Sequence, residues 1–145
     1  MRTVREGDLI AIPLADRLIA VGIVLHVSKL FKNGIMMGYF RQPFESVDKI
    51  LASDLKPEFV TTPNYTSAQI IRNGFWKVIG HDEDLLRKVR IPELRSAYDI
   101  YVGDIVVRPA SPSDIEHCPT LTLGGKLFIE NQLRDFFKVS SGWDP

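Results

Sequence analysis

The chain of 145 residues has one cysteine, no excess charge of either sign and no long apolar run. Because Cys118 alone cannot form an intramolecular disulfide, the composition favours a reducing compartment over a secreted, disulfide-stabilised fold. Eighteen basic and eighteen acidic side chains give a net charge of zero, so no overall positive field attracts nucleic acid. Nowhere do about 18 apolar residues follow one another, as a membrane-spanning helix requires. We therefore expect a cytoplasmic protein with no membrane partner, in which binding of nucleic acid would have to rely on a local basic patch.

Apolar side chains are plentiful, at 45% of the chain, and aromatic side chains contribute 10%. A chain of this size removes about two-thirds of its unfolded surface from water, which is enough for a hydrophobic core without disulfides or structural metal. No linker or low-complexity segment divides the sequence. Residues 1–145 are therefore expected to form a single domain.

The first third of the chain predicts a bent antiparallel meander. Residues 8–14 form a short apolar run that ends near a proline, and residues 18–27 are nearly continuously apolar. The pair Asn33-Gly34 tolerates positive φ and precedes a third apolar run over residues 35–41. We expect these strands to begin a β-meander core that extends over about residues 7–80.

The remainder predicts shorter elements. The fold class is therefore α+β and β-rich, with a curved antiparallel sheet or small partly open barrel and two or three packed helices. The predicted elements are a short helix within 44–55, an edge strand at 58–62, a hairpin at 66–80 around Asn73-Gly74, a short helix at 82–91, a strand at 105–108, a turn-rich loop at 110–114, a β-like segment at 126–129 and a C-terminal helix at about 131–138.

One sequence pattern occurs twice. Residues 7–13 and residues 103–109 both read as glycine-aspartate, an apolar run and then proline. A single match of seven positions does not indicate a repeat protein. We interpret it as the same local structure formed twice: a turn followed by a strand that ends at a proline.

Few residue patterns indicate chemistry. Cys118 is a candidate nucleophile if a histidine lies near it in space, and the candidates for that base are His26, His81 and His117. Paired metal-ligand spacings are absent, and Gly124-Gly125-Lys126 does not complete a phosphate-binding loop. The sequence therefore assigns no catalytic, cofactor-binding or metal-binding residue.

Aromatic residues indicate a possible binding platform. Tyr39, Phe40 and Trp76 fall in predicted strands, where they would either fill the core or stack against a peptide or a base. Trp143 lies close to the end of the sequence and is the aromatic residue least easily assigned to a core.

Three segments carry a resemblance to a known family. Residues 6–14 combine a glycine-aspartate turn with a strand ending in proline and leucine, and residues 20–25 give a second strand with a glycine before a valine. Residues 75–81 run from a tryptophan to a glycine and precede acids and leucines. Over residues 6–90 the chain resembles the bacterial immunity protein 26 family.

The resemblance implies a small cytosolic protein that binds the catalytic domain of a polymorphic, secreted bacterial toxin and occludes its active site. Such a protein needs a surface that is complementary to its partner, and it needs no side chain that is activated for catalysis. The candidate partner-binding residues are Asp82, Glu83 and Asp84, which match a basic cleft, together with Trp76 and Trp143. Two alternatives remain: a small β-barrel module for a peptide or nucleic acid, and a small hydrolase using Cys118 or His81.

Overall fold

The computed structural model describes residues 3–138, apart from the side chain of Ala52, and within them contains two antiparallel sheets and four helices. The larger sheet, in the order β4-β3-β2-β1-β5, comprises β1 (Asp8–Ala15), β2 (Leu18–Val27), β3 (Gly34–Tyr39), β4 (Asn64–Ser67) and β5 (Lys77–His81). The smaller sheet, in the order β6-β7-β8, comprises β6 (Glu93–Ser96), β7 (Asp99–Val102) and β8 (Ile105–Pro109). The predicted β-rich α+β class is confirmed, and neither sheet closes into a barrel within the described range.

The meander of β1, β2 and β3 is confirmed. The predicted strand end at Pro13 is wrong, because Pro13 pairs with Ile19 and β1 continues past a bulge to Ala15. Residues Asp16 and Arg17 turn the chain between the first two strands, and Arg17 has a positive φ of 61°. Asn33, with a φ of 61°, lies in the corresponding turn directly before β3. Gly22 lies where neighbouring strands come close, since a Cβ built there would stand 3.1 Å from the carbonyl oxygen of Gly38.

The larger sheet is buried on both faces, which explains why its central strands are apolar without alternation. One face carries Ile10 and Ile12, and it packs under α4 (Lys126–Phe137) through Ile129 and Leu133. The opposite face packs Leu9, Val21 and Ile23 against residues from the smaller sheet and from α2 (Glu83–Lys88). The core therefore occupies two layers, one on each side of the sheet.

Three predictions in the middle of the chain are wrong. Residues 44–55 contain two short 3-10 turns, Val47–Lys49 and Ala52–Asp54, in place of the predicted helix. Residues 58–62 contribute only an isolated bridge between Phe59 and Phe40. The predicted hairpin at 66–80 is replaced by β4, the helical turn α1 (Gln69–Arg72) and β5, because β5 pairs with the distant β1.

The second half is partly as predicted. Helix α2 lies within 82–91, and β8 matches the strand predicted at 105–108. The loop predicted at 110–114 instead begins α3 (Pro112–His117), because Ser111 and Asp114 form a capping box around a proline in the first turn. The segment at 126–129 is the first turn of α4, which begins five residues before the predicted C-terminal helix.

Candidate protein-binding surface

Strand β8 is apolar, lies at the edge of its sheet and is exposed along its whole length. It pairs with β7 on one side, and no further strand pairs with it among the described residues. Ile105, Val106 and Val107 expose 68%, 49% and 47% of their surfaces. Folded proteins usually protect edge strands with charges or cover them, so an uncovered apolar edge indicates a place where another molecule binds.

Two further exposed side chains belong to the segments next to this strand, the turn before β7 and the helix α3. Tyr98 is 76% exposed, and its carbonyl oxygen accepts a hydrogen bond from Ala110, the residue that follows β8. Ile115 is exposed on α3, the helix that follows. We call the set formed by Tyr98, Ile105, Val106, Val107 and Ile115 the β8 surface. Because successive strand residues point to opposite faces, a partner that covers this surface must contact both sides of the edge.

An ion-pair network fixes the β8 surface to its surroundings. The Arg108 guanidinium donates to Glu93 at 2.6 Å and also contacts the Asp114 carboxylate at the start of α3. Hydrogen bonds from Arg108 and Ser111 lower the pKa of Asp114 to about 2. Asp114 and Glu93 in turn raise the pKa of Arg108. The network therefore links β6, β8 and α3 and neutralises the only base on β8.

The region around the β8 surface is acidic. Residues 93–118 contain five acids, Glu93, Asp99, Asp104, Asp114 and Glu116, and two bases, Arg95 and Arg108, which gives a formal charge of −3. The rest of the chain carries the balancing +3. Asp99 and Glu116 are both exposed. The net charge of zero therefore conceals a separation of charge between this region and the rest of the protein.

A histidine–carboxylate cluster occupies the first glycine-aspartate turn. His81 Nδ1 lies 2.9 Å from Asp8, and His81 Nε2 lies 2.7 Å from Glu83. Hydrogen bonds to Asp8 and then to Glu83 raise the pKa of His81. A ring with a carboxylate at each nitrogen is stabilised as imidazolium, whereas a general base needs a free ring nitrogen. The geometry therefore describes a structural ion pair.

The second glycine-aspartate turn carries a similar cluster. His26 lies 3.4 Å from Glu6 and 3.2 Å from Asp104, and Asp104 also accepts hydrogen bonds from the Ser28 hydroxyl and the Lys29 amide. Burial pushes the pKa of Asp104 upward, but the hydrogen bonds from Lys29 and Ser28, together with the interaction with His26, outweigh it, so the net shift is downward. Because Asp104 belongs to the turn between β7 and β8, this cluster ties the smaller sheet to the end of β2.

Cys118 contacts two backbone carbonyl groups. Its thiol sits 3.5 Å from the carbonyl oxygen of Glu93 and 3.7 Å from that of Pro119. His26 and His81 are engaged by carboxylates, and His117 lies 3.7 Å from Glu116. Within residues 3–138, no group of three or more histidine, cysteine, aspartate or glutamate residues could hold a metal ion.

The predicted partner-binding acids lie at the start of α2, where each has a local contact. Asp82 accepts a hydrogen bond from the Leu85 amide as the N-cap, and Asp84 pairs with Arg87 at 3.0 Å. Glu83 contacts His81 as described above. The role of the three acids as partner contacts stays a prediction. Within the protein, Asp82 and Asp84 stabilise α2 through these local contacts.

The structure corrects the assignment of Trp76. Its side chain is fully buried, and its indole N–H donates to the buried carboxylate of Glu130 on α4 at 2.9 Å. Trp76 therefore belongs to the core between the sheet and α4 and is not a surface anchor. Trp143 lies outside the described residues.

The aromatic platform proposed for a binding module is also buried. Tyr39 and Phe40 are fully covered, and Tyr39 donates its hydroxyl to Asn64 at 3.2 Å inside the core. Phe75, next to Trp76, is the exposed neighbour at 55%. It lines an open groove of about 460 Å³ whose other walls include Ala11, Pro13, Val47 and Lys77.

The sequence did not indicate the β8 surface. The run Ile105-Val106-Val107 has the same pattern as Leu9-Ile10-Ala11, which is buried in β1. The available signal was the excess of acids over bases in residues 93–118, because charged residues without partners are rarely buried. Only the arrangement of strands reveals which of the two runs is uncovered.

Comparisons with family models, curated proteins and solved structures find no match to this chain. None of the helices in the described part is long and apolar enough to cross a membrane.

Proposed function

We propose that this protein is an immunity protein that binds a bacterial toxin domain and neutralises it by occluding its active site. The observation that carries the proposal is the uncovered apolar strand β8, whose three consecutive β-branched side chains are all about half exposed or more. An inhibitor of this kind acts through surface fit, so its central requirement is an apolar anchor on a rigid support. The resemblance over residues 6–90 supports the same role.

The support beneath β8 suits such a role. The smaller sheet buries Leu94 and Ile100 completely or nearly so, while the Arg108 ion pairs and the Asp104 hydrogen bonds hold its outer strand and its turn. A surface held in one conformation loses little conformational entropy when it binds. A stable complex buries roughly 800 Å² on each partner, so the contact extends beyond β8 itself.

Co-expression tests the proposal. The proposal requires a toxin domain encoded beside this protein. That domain is expressed in a sensitive host with and without the protein, and growth is measured. We expect growth to be restored and an inactivated toxin domain to purify as a complex with the protein. An unrelated toxin domain is the control and is expected to stay lethal. Continued growth arrest by the neighbouring toxin, with no complex between purified proteins, would contradict the proposal.

A second candidate function is peptide binding in the groove beside Phe75. The groove is apolar apart from Lys77, and its volume of about 460 Å³ falls within the usual range for ligand sites. The substitution Phe75→Ser tests whether this groove takes part in neutralising the toxin. Under the immunity proposal this variant protects cells as well as the wild type, whereas a loss of protection would place the toxin contact at the groove.

A further inference from the structure

We propose that the β8 surface binds a positively charged face of the toxin domain, a face that combines apolar side chains with an excess of lysine and arginine. This inference rests on the proposed function, because it defines the chemistry of the same partner. Basic faces of this kind occur on enzymes that hold polyanionic substrates. Occupation of such a face would also explain how binding blocks the enzyme.

The first step in the argument is the apolar centre. Ile105, Val106 and Val107 expose apolar surface on both sides of one strand, and Tyr98 lies beside its end. Pro109 ends the strand without an N–H, and a bulge interrupts its pairing with β7 between Ile100 and Tyr101. These two features shorten the regular free edge, which disfavours open-ended pairing with other strands. The side chains are therefore the main contacts that β8 offers.

The second step is the charge around that centre. The one base on β8, Arg108, is already shared between Glu93 and Asp114. Asp99 and Glu116 are exposed, and neither forms an ion pair with a lysine or arginine among the described residues. With a formal charge of −3, residues 93–118 attract a cationic partner.

The acids at the start of α2 differ in this respect. Residues 81–90 contain three acids, Asp82, Glu83 and Asp84, and three bases, Arg87, Lys88 and Arg90, so their formal charges cancel. Local ion pairs, such as the one between Asp84 and Arg87, further weaken the negative potential of these acids. The charge that would steer a basic partner therefore lies in the smaller sheet and α3.

The electrostatic test uses purified protein and an inactivated form of the neighbouring toxin domain. Association rates are measured by stopped flow at low and moderate salt for the double variant Asp99→Asn, Glu116→Gln. The matched control is Asp48→Asn, Asp54→Asn, which makes the same change in net charge at two exposed acids in the 3-10 turns. We expect the first variant to associate roughly threefold to tenfold more slowly at low salt and to lose part of its salt dependence. The control should retain the wild-type rate.

The apolar test uses the double variant Ile105→Thr, Val107→Thr, which keeps β-branched side chains in the strand. We expect the dissociation constant to rise roughly tenfold or more. Circular dichroism and urea unfolding verify that the variant is folded, and Tyr98→Ser provides a second variant outside the strand. If the wild type binds the toxin while these variants bind equally well, this inference is overturned and the proposed function stands. If the wild type neither binds nor protects, the proposed function and this inference both fall.

Discussion

Strands β3 and β8 are both rich in apolar residues, yet all six residues of β3 are buried and all five of β8 are exposed. The first lies between β2 and β4 and has packed layers on both faces, while the second lies at the edge of the smaller sheet. Position within the sheets, and not composition, determines this difference. We infer that the larger sheet contributes most of the stability and that the smaller sheet provides an exposed surface.

The largest expected effect comes from breaking the core of the larger sheet. Substituting Trp76 by alanine removes a fully buried side chain and leaves the Glu130 carboxylate without its indole donor. We expect a loss of about 3–5 kcal/mol in the free energy of unfolding, because a large cavity is created and the buried Glu130 carboxylate keeps, among the described residues, only its contacts with Lys126 and Arg134. Urea denaturation measures the loss.

The adjacent Phe75 provides the matched control for this substitution. Its ring is 55% exposed and interacts with Lys126 at 5.2 Å from the ring centre. We expect Phe75→Ala to cost about 1 kcal/mol or less. Equal losses for the two variants would contradict the division between a buried Trp76 and an exposed neighbour.

The connection between the two sheets gives the next effect. Asp104→Ala removes hydrogen bonds to Ser28 and Lys29 and the contact with His26. We expect a loss of about 1–3 kcal/mol, because a partly buried group with several donors is deleted. Hydrogen exchange should accelerate in β6, β7 and β8 more than in β2 and β3, since the variant loosens the smaller sheet from the larger one.

Asp99→Ala is the control for this deletion, because Asp99 is an exposed acid on the adjacent strand β7. Its effect on the free energy of unfolding should stay within about 0.5 kcal/mol. Uniform acceleration of exchange in both sheets of the Asp104 variant would show that the sheets unfold together. The two sheets would then not differ in stability.

The sequence predicted the parts of this fold that depend on neighbouring residues. The meander of β1, β2 and β3 follows from apolar runs separated by turns, and α2 follows from the order of its charges, with acids first and bases last. The pairing of β5 with β1 was missed because it joins distant residues, such as Asp8 and His81. A local pattern at 66–80 therefore suggested a hairpin that long-range pairing excludes.

The candidate site was harder to predict than the fold. Exposure of β8 depends on the position of its strand in the sheet, and residues 105–107 contain no polar residue to indicate it. The repeated glycine-aspartate pattern was visible, and both glycines have positive φ, at 94° for Gly7 and 60° for Gly103. The histidine that each turn binds comes from a distant segment, so the clusters could not be predicted from spacing.

The smallest expected effect sharpens the comparison at the first glycine-aspartate turn. Hydrogen bonds to Asp8 and Glu83 raise the pKa of His81 above its ordinary value of 6.5. The folded protein therefore retains a proton that the unfolded chain releases. The stabilisation from the charged ring is fully present below pH 6.5 and is lost as the pH rises through the raised pKa.

We expect His81→Gln to remove this loss of stability with rising pH, as measured by urea unfolding across a pH series. Solvent screens the partly exposed ring. The total change in the free energy of unfolding across the pH series should therefore be smaller than the losses in Trp76→Ala and Asp104→Ala. His117→Gln, which alters an exposed histidine on α3, is the control and should retain the wild-type slope. A wild-type slope in the His81 variant would mean that its ion pairs contribute no net stability, and the first turn would then be held by its backbone and packing alone.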